Sequence, residues 1–183
     1  MGVVGSGLER QSGIGRHFWL DAAQESRAFF NLTVHPITGL NQEYSEFGSV
    51  AKGNVYGDTG TAHDDFHYVS WRTAVNWAVD YAWWKADPNE VVLTNRMHAF
   101  FNSRGMTTYG YLYELNGNMT HSGRSVGLIA FNGAAALAAT DSHAMLFVEQ
   151  FWNQVPVSGT YRYYGGLLQF MAVLHASGNF LMY

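Results

Sequence analysis

An all-α fold built from three stacked helical hairpins is what this sequence predicts, and three observations carry it. Apolar residues recur at three- and four-residue steps in six separate segments. These segments alternate between amphipathic and nearly fully apolar, the pattern of a two-layered helical array whose outer helices keep one wet face while the inner ones are enclosed. Hydrophobic residues make up 48% of the 183-residue chain and charged residues only 13%, a balance that excludes disorder and suits a single domain with one core.

Residues 1–15 hold Gly2, Gly5, Gly7, Gly13 and Gly15 with little periodicity and read as a flexible lead-in, leaving 16–183 as the folded unit. Phe18, Trp19, Ala22, Ala23, Ser26, Phe29 and Phe30 then trace one face of a helix that ends before Pro36 and Gly39. The polar, glycine-containing stretch from Ile37 to His63 predicts a long loop, and long loops inside compact domains usually carry function. From Tyr68 to Trp84 there is neither Gly nor Pro, and Arg72, Thr73, Asn76 and Asp80 form a narrow polar stripe on an otherwise apolar helix. Such a helix belongs inside the array. Its polar residues sit toward the amino end, where free N–H groups and the dipole favour an oxygen-rich ligand.

Asp87-Pro88-Asn89-Glu90 supplies an N-cap, a proline at the first helical position and a carboxylate three residues after the cap, so a further helix is expected to run to Gly105. Met106 to Asn118 reads as a short β-hairpin around Asn116-Gly117 or as irregular loop. Ser125 to Ala139 is a helix in which Gly127, Gly133 and many alanines allow close helix approach. Thr140 or Asp141 caps the next helix, which stops before Pro156. The last helix, Tyr161 to Ala176, is apolar almost all round.

Charge and composition narrow the function. A formal net charge of −4 without any Lys/Arg run argues against nucleic acid and against an anionic membrane surface, and no apolar run reaches the length of a membrane span. No signal sequence opens the chain, which points to the cytoplasm. Without cysteine there is no thiolate metal site, and His63, Asp64, Asp65 and His67 lack a supporting ligand set, so neither metal nor cofactor is expected. An aromatic content of 16% suits either a sugar-stacking cleft or an aromatic core.

Several blocks carry a family likeness: FWLDAAQESRAFF with VHPITGLNQEYSEF, DDFHYVSWRTAVNWAVDYAWW, VGLIAFNGAAALAAT, and FWNQVPVSGTYRYYGGLLQFMAVLHASGNF. From His17 to Tyr183 they resemble glycoside hydrolase family 8, and within it the reducing-end xylose-releasing exo-oligoxylanases. The resemblance implies an (α/α)6 barrel of six hairpins that hydrolyses β-1,4-linked sugars with inversion, of which this chain matches the C-terminal half. It also implies xylo-oligosaccharides or related β-1,4-glycans as partners. Half a ring leaves apolar helices uncovered, so either a homo-oligomer or an N-terminal half is expected to complete it.

Inverting hydrolysis needs a general acid for the leaving oxygen and a general base for the water, roughly 6.5–9.5 Å apart. The family's acid belongs to a Ser-Glu-Gly-Met-Ser-Tyr type motif that nothing here matches. The base is the Asp of a Phe-x-x-Asp-(Ser/Ala)-(Trp/Tyr)-Arg motif, matched by Phe66 to Arg72 with Val69 at the base position. An isopropyl group accepts no proton, and Asp64 or Asp65, a helical turn earlier, is a poor substitute. Arg162, Tyr163 and Tyr164 match a family Arg-Tyr-Tyr-Asp motif whose Asp is Gly165 here, and Arg124 stands where reducing-end enzymes carry His, with His121 three residues earlier.

What stays matched is binding apparatus. Tyr44, Tyr68, Trp71, Arg72, Asn76, Arg124, Tyr163 and Tyr164 are the expected sugar-cleft residues, although core packing accounts equally well for Trp71, Tyr163 and Tyr164. Arg72 on so apolar a helix calls for a paired, buried guanidinium. Two functions follow: a glycoside hydrolase fragment inactive alone, or a non-catalytic helical module that binds carbohydrate or a protein partner through its aromatic inner face.

Overall fold

The structure is a computed structural model of the chain and describes residues 14–48, 50, 63–160 and 162–180. The expected lead-in lies outside these residues up to position 13, as does most of the second half of the long loop. Among the described residues there are six α-helices, α1 (Ile14–Thr33), α2 (Trp71–Trp84), α3 (Asn89–Ser103), α4 (Val126–Ala135), α5 (Ala144–Trp152) and α6 (Arg162–Ala176). A two-stranded antiparallel hairpin, β1 (Leu112–Tyr113) and β2 (Met119–His121), interrupts them. The fold is thus mostly helical, and the undecided stretch before Asn118 is a hairpin.

Packing centres on α4. Every residue from Gly127 to Ala135 is buried, and α4 packs α2 on one side, α6 on another and α5 behind. Small residues make this possible. A Cβ on Gly127 would lie 2.6 Å from Leu168 Cδ1 and one on Gly133 would overlap Phe151 Cβ, so both positions let a neighbour touch the α4 backbone. Ser125 caps the helix, its Oγ accepting from Leu128 N at 3.5 Å.

Several expectations need correction. Regular helix begins at Trp71 rather than Tyr68, because Tyr68 to Ser70 form a tight turn in which Ser70 N donates to His67 O at 2.9 Å and Arg72 N to Val69 O at 3.2 Å. The Ser125 helix is α-helical only to Ala135 and ends in a 3-10 turn, Ala136–Ala138. Thr140 does not cap α5 but bonds to Asn95, while Asp141 Oδ1 accepts from His143 N at 2.7 Å one residue before the helix. Helix α6 is not enclosed: only Leu168 and Ala172 are buried, and Tyr163, Leu167, Phe170, Met171 and Val173 are exposed, since α4 covers just one of its faces.

Glu90 departs most from its expected role. Asp87 does cap α3, accepting from Asn89 N at 2.9 Å, but the Glu90 side chain does not reach back to complete a capping box. It is fully buried and faces the Asp80 carboxylate, itself held by a two-pronged bond from Arg27 at 2.6 and 3.0 Å. Loss of solvation, reinforced by the Asp80 charge, pushes the Glu90 carboxyl from 4.5 up to about 9.

Two consequences are measurable. With a folded pKa above the unfolded one, the native chain keeps a proton that the unfolded chain loses, so stability from this group is full below pH 4.5 and is lost as pH rises to about 9. Glu90→Gln, whose amide can donate to Asp80, is expected to flatten that decline and to stabilise the chain by roughly 1–3 kcal/mol at pH 8, read by urea denaturation across pH 5–9. Gly133→Ala is expected to cost about 1–3 kcal/mol through overlap with Phe151, read as a lower Tm.

Candidate functional site

The amino ends of α2, α4 and α6 meet at one end of the helical array, around one cavity. Phe66 fixes the approach to α2 by exchanging backbone bonds with Tyr113, Phe66 N to Tyr113 O at 2.9 Å and Tyr113 N to Phe66 O at 3.2 Å. The following turn is locked by Ser70 Oγ accepting from His67 N at 3.2 Å. This turn exposes Tyr68, half-buries Val69 and buries Ser70 and Trp71. From α6, the Tyr164 hydroxyl donates to Tyr68 O at 3.0 Å and so ties two of the three helix starts together.

Aromatic rings fill the space between. Trp71 lies 5.4 Å from Tyr68, 6.3 Å from Tyr111 and 6.3 Å from Tyr164, centroid to centroid, and its indole N–H donates to Tyr111 O at 3.2 Å. Above this floor opens a cavity of about 590 Å³, lined by Tyr68, Tyr111, Arg124, Tyr163 and Tyr164 among others. Arg124 is held across the hairpin, donating to Met106 O at 3.0 Å with its guanidinium 4.8 Å from the Tyr109 ring centre. Gly165 lines the same cavity, and a Cβ there would meet only Val157 Cγ2 at 3.4 Å, so there is room for a side chain. Burial raises the pKa of Tyr68 and Tyr164, and the negative charge of Glu43 adds to both shifts.

A second cavity, of about 680 Å³, lies between α1, residues 41–47 and the first turns of α2. Phe29, Glu43, Tyr44, Thr73 and Asn76 are on its wall. Backbone bonds from Glu43 N to Asp65 O at 3.0 Å and from Tyr44 N to His63 O at 3.1 Å hold the loop against the start of the α2 turn. Tyr44 meets the His63 ring edge-on at 4.7 Å. The Glu43 carboxylate is anchored at both oxygens: Oε2 is 2.7 Å from His63 Nδ1 and Oε1 accepts from Val69 N at 3.2 Å.

The residues expected at the site therefore divide between two adjoining hollows. Tyr68, Trp71, Arg124, Tyr163 and Tyr164 share the first, and Tyr44 and Asn76 the second. Trp71 is only 3% exposed, so it supports the aromatic floor instead of offering a face to a ligand. Arg72 is exposed where a buried, paired guanidinium was expected, because it points away from the packed face of α2. Among the described residues no group of three His, Asp or Glu side chains could hold a metal ion, and no helix is long and apolar enough to cross a membrane. Two residues escaped the sequence reading. Tyr111 sat in the stretch of undecided structure, and Glu43 is next to Tyr44 in the loop marked as functional, but its contact with residue 69 is not local in sequence.

No protein-family model matches the chain. The reducing-end xylose-releasing exo-oligoxylanase Rex8A of Paenibacillus barcinonensis is 37% identical over 171 residues, 92% of this chain and 44% of that enzyme. The reducing end xylose-releasing exo-oligoxylanase of Halalkalibacterium halodurans is 34% identical over 168 residues, 90% of this chain and 42% of the enzyme. Among solved structures, a GH8 xylobiose complex from Teredinibacter turnerae superposes with a TM-score of 0.87 at 36% identity, covering 96% of this chain and 44% of that one. Rex8A complexed with xylose gives 0.82 at 35% identity, covering 92% and 44%. The chain thus spans less than half the length of the curated relatives it matches.

Proposed function

We propose that this homologue of the glycoside hydrolase family 8 exo-oligoxylanases is the C-terminal, three-hairpin half of an (α/α)6 barrel, shaped to hold xylo-oligosaccharides or related β-1,4-glycans across the converging starts of α2, α4 and α6. The parent activity is their hydrolysis with inversion. The observation that carries this reading is the tyrosine-lined cavity where those three helix starts meet, in a chain 37% identical to an exo-oligoxylanase.

The chemistry follows from what lines the cavity. Exposed faces of Tyr68 and Tyr163 suit pyranose rings, whose axial C–H groups pack on flat apolar surfaces. Arg124 supplies donors for sugar hydroxyls, and Asn76 does the same in the adjoining hollow. Exposed apolar residues along α6 support a further helical layer over this face, in a second copy or in an N-terminal half. Hydrolysis of a natural glycoside also needs a carboxylic acid to protonate the leaving oxygen, and no match to the family's acid motif was found in this sequence. Val69 at the base position favours a second reading, a module that binds the glycan without cleaving it.

Two outcomes test the reading. Isothermal titration with xylohexaose is expected to show binding that Tyr68→Ala and Tyr163→Ala each weaken about 3–10-fold, the worth of one aromatic contact; unchanged affinity in both variants would remove the cleft assignment. The chain alone is expected to release no xylose above a heat-killed control, and Val69→Asp alone is expected to leave it so, since each positioned proton transfer contributes about 10²–10⁴-fold and the acid is still wanting. Sugar release by the purified chain would refute that.

A further inference from the structure

We propose that Glu43 supplies the proton-accepting carboxylate that position 69 lacks. This rests on the glycoside hydrolase reading above and names the group that would activate water from the hollow beside the aromatic cleft.

The geometry points to Glu43 in three ways. Its Oε1 sits 3.2 Å from the backbone nitrogen of Val69, which puts it within about 6 Å of the Cβ from which a side chain at 69 would project. The carboxylate is held rigidly, by the Val69 N–H on one oxygen and by His63 Nδ1 at 2.7 Å on the other, with the loop itself bonded to Asp65 O. It is not sealed off, because Glu43 lines the 680 Å³ cavity while its side chain is 6% exposed. Neither Asp64 nor Asp65 lines either cavity. The charge of Glu43 adds to the raised pKa of Tyr68 and Tyr164, so the carboxylate lies within electrostatic reach of the aromatic cleft beside its own hollow.

The step balances simply. A water oxygen forms the new bond to the anomeric carbon as the bond to the leaving group breaks, and the water proton passes to a Glu43 oxygen. With a glycoside, the departing oxygen takes its proton from a second carboxylic acid. With a glycosyl fluoride, fluoride departs as the anion and needs no acid, so the base can be examined by itself.

The test uses the full chain and β-xylobiosyl fluoride, followed by fluoride release and by proton NMR of the first-formed anomer, with xylohexaose affinity measured in parallel. The wild-type chain is expected to release fluoride above the buffer rate and to give α-xylobiose first. Glu43→Gln is expected to lower the rate at least about 10²-fold while xylohexaose affinity stays within about twofold. Adding Val69→Asp to Glu43→Gln is expected to recover tenfold or more, which a purely structural role for Glu43 would not produce. A Glu43→Gln rate equal to wild type overturns the proposal, as does a wild-type chain that binds xylohexaose but leaves the fluoride intact. A double variant that stays at the Glu43→Gln rate also counts against it. A chain that binds no xylohexaose removes the cleft reading and this inference with it.

Discussion

Close approach to the backbone of α4 is the constraint on which the rest of this structure depends. Gly127 and Gly133 let Leu168 and Phe151 reach the helix surface, and Ala130, Ala134 and Ala135 between and beyond them are buried without bulk. Helix α2 can therefore pack on one side and α6 on another, with their starts brought to the same end. The tyrosine-lined cavity is a consequence of that alignment. It lies where three helix starts meet, and the bond from Tyr164 to Tyr68 O closes it across the span of the sequence.

A second set of contacts fixes α1 to the core. Arg27 grips Asp80 by both oxygens, Phe30 sets its ring edge-on to Trp77 at 5.9 Å, and Trp77 donates to Thr94 Oγ1 at 2.8 Å. Arg27 pairs with Asp80, and protonation is the cheaper form of the buried Glu90 carboxyl that faces the Asp80 charge.

The two hollows differ in how they are made. The aromatic one is walled by the starts of α2, α4 and α6 together with Tyr111 and the loop residues Val157 and Thr160. The other is walled by a loop whose carboxylate is tied to the α2 turn. Placing a charged group on a loop and securing it by backbone bonds separates the position of the charge from the identity of residue 69. A valine can then occupy that position while a carboxylate remains beside it.

Periodicity and punctuation alone determined the helical class and the order of the six helices, because apolar spacing, Asp87-Pro88 and Ser125 are local signals, whereas the stretch around Asn116-Gly117 stayed open between hairpin and loop. The matched blocks also named Tyr68, Arg124, Tyr163 and Tyr164 on the wall of the aromatic cavity, since these stand at helix starts, but not Tyr111. The tertiary structure decided what depends on neighbours. Whether Trp71 is floor or face, whether Arg72 is buried and whether Glu90 caps a helix or faces Asp80 all turn on which helix covers which side. The partnership of Glu43 with Val69 links residues 26 apart through a loop without periodicity, and only the folded path of that loop brings a carboxylate to the place where the sequence shows a valine.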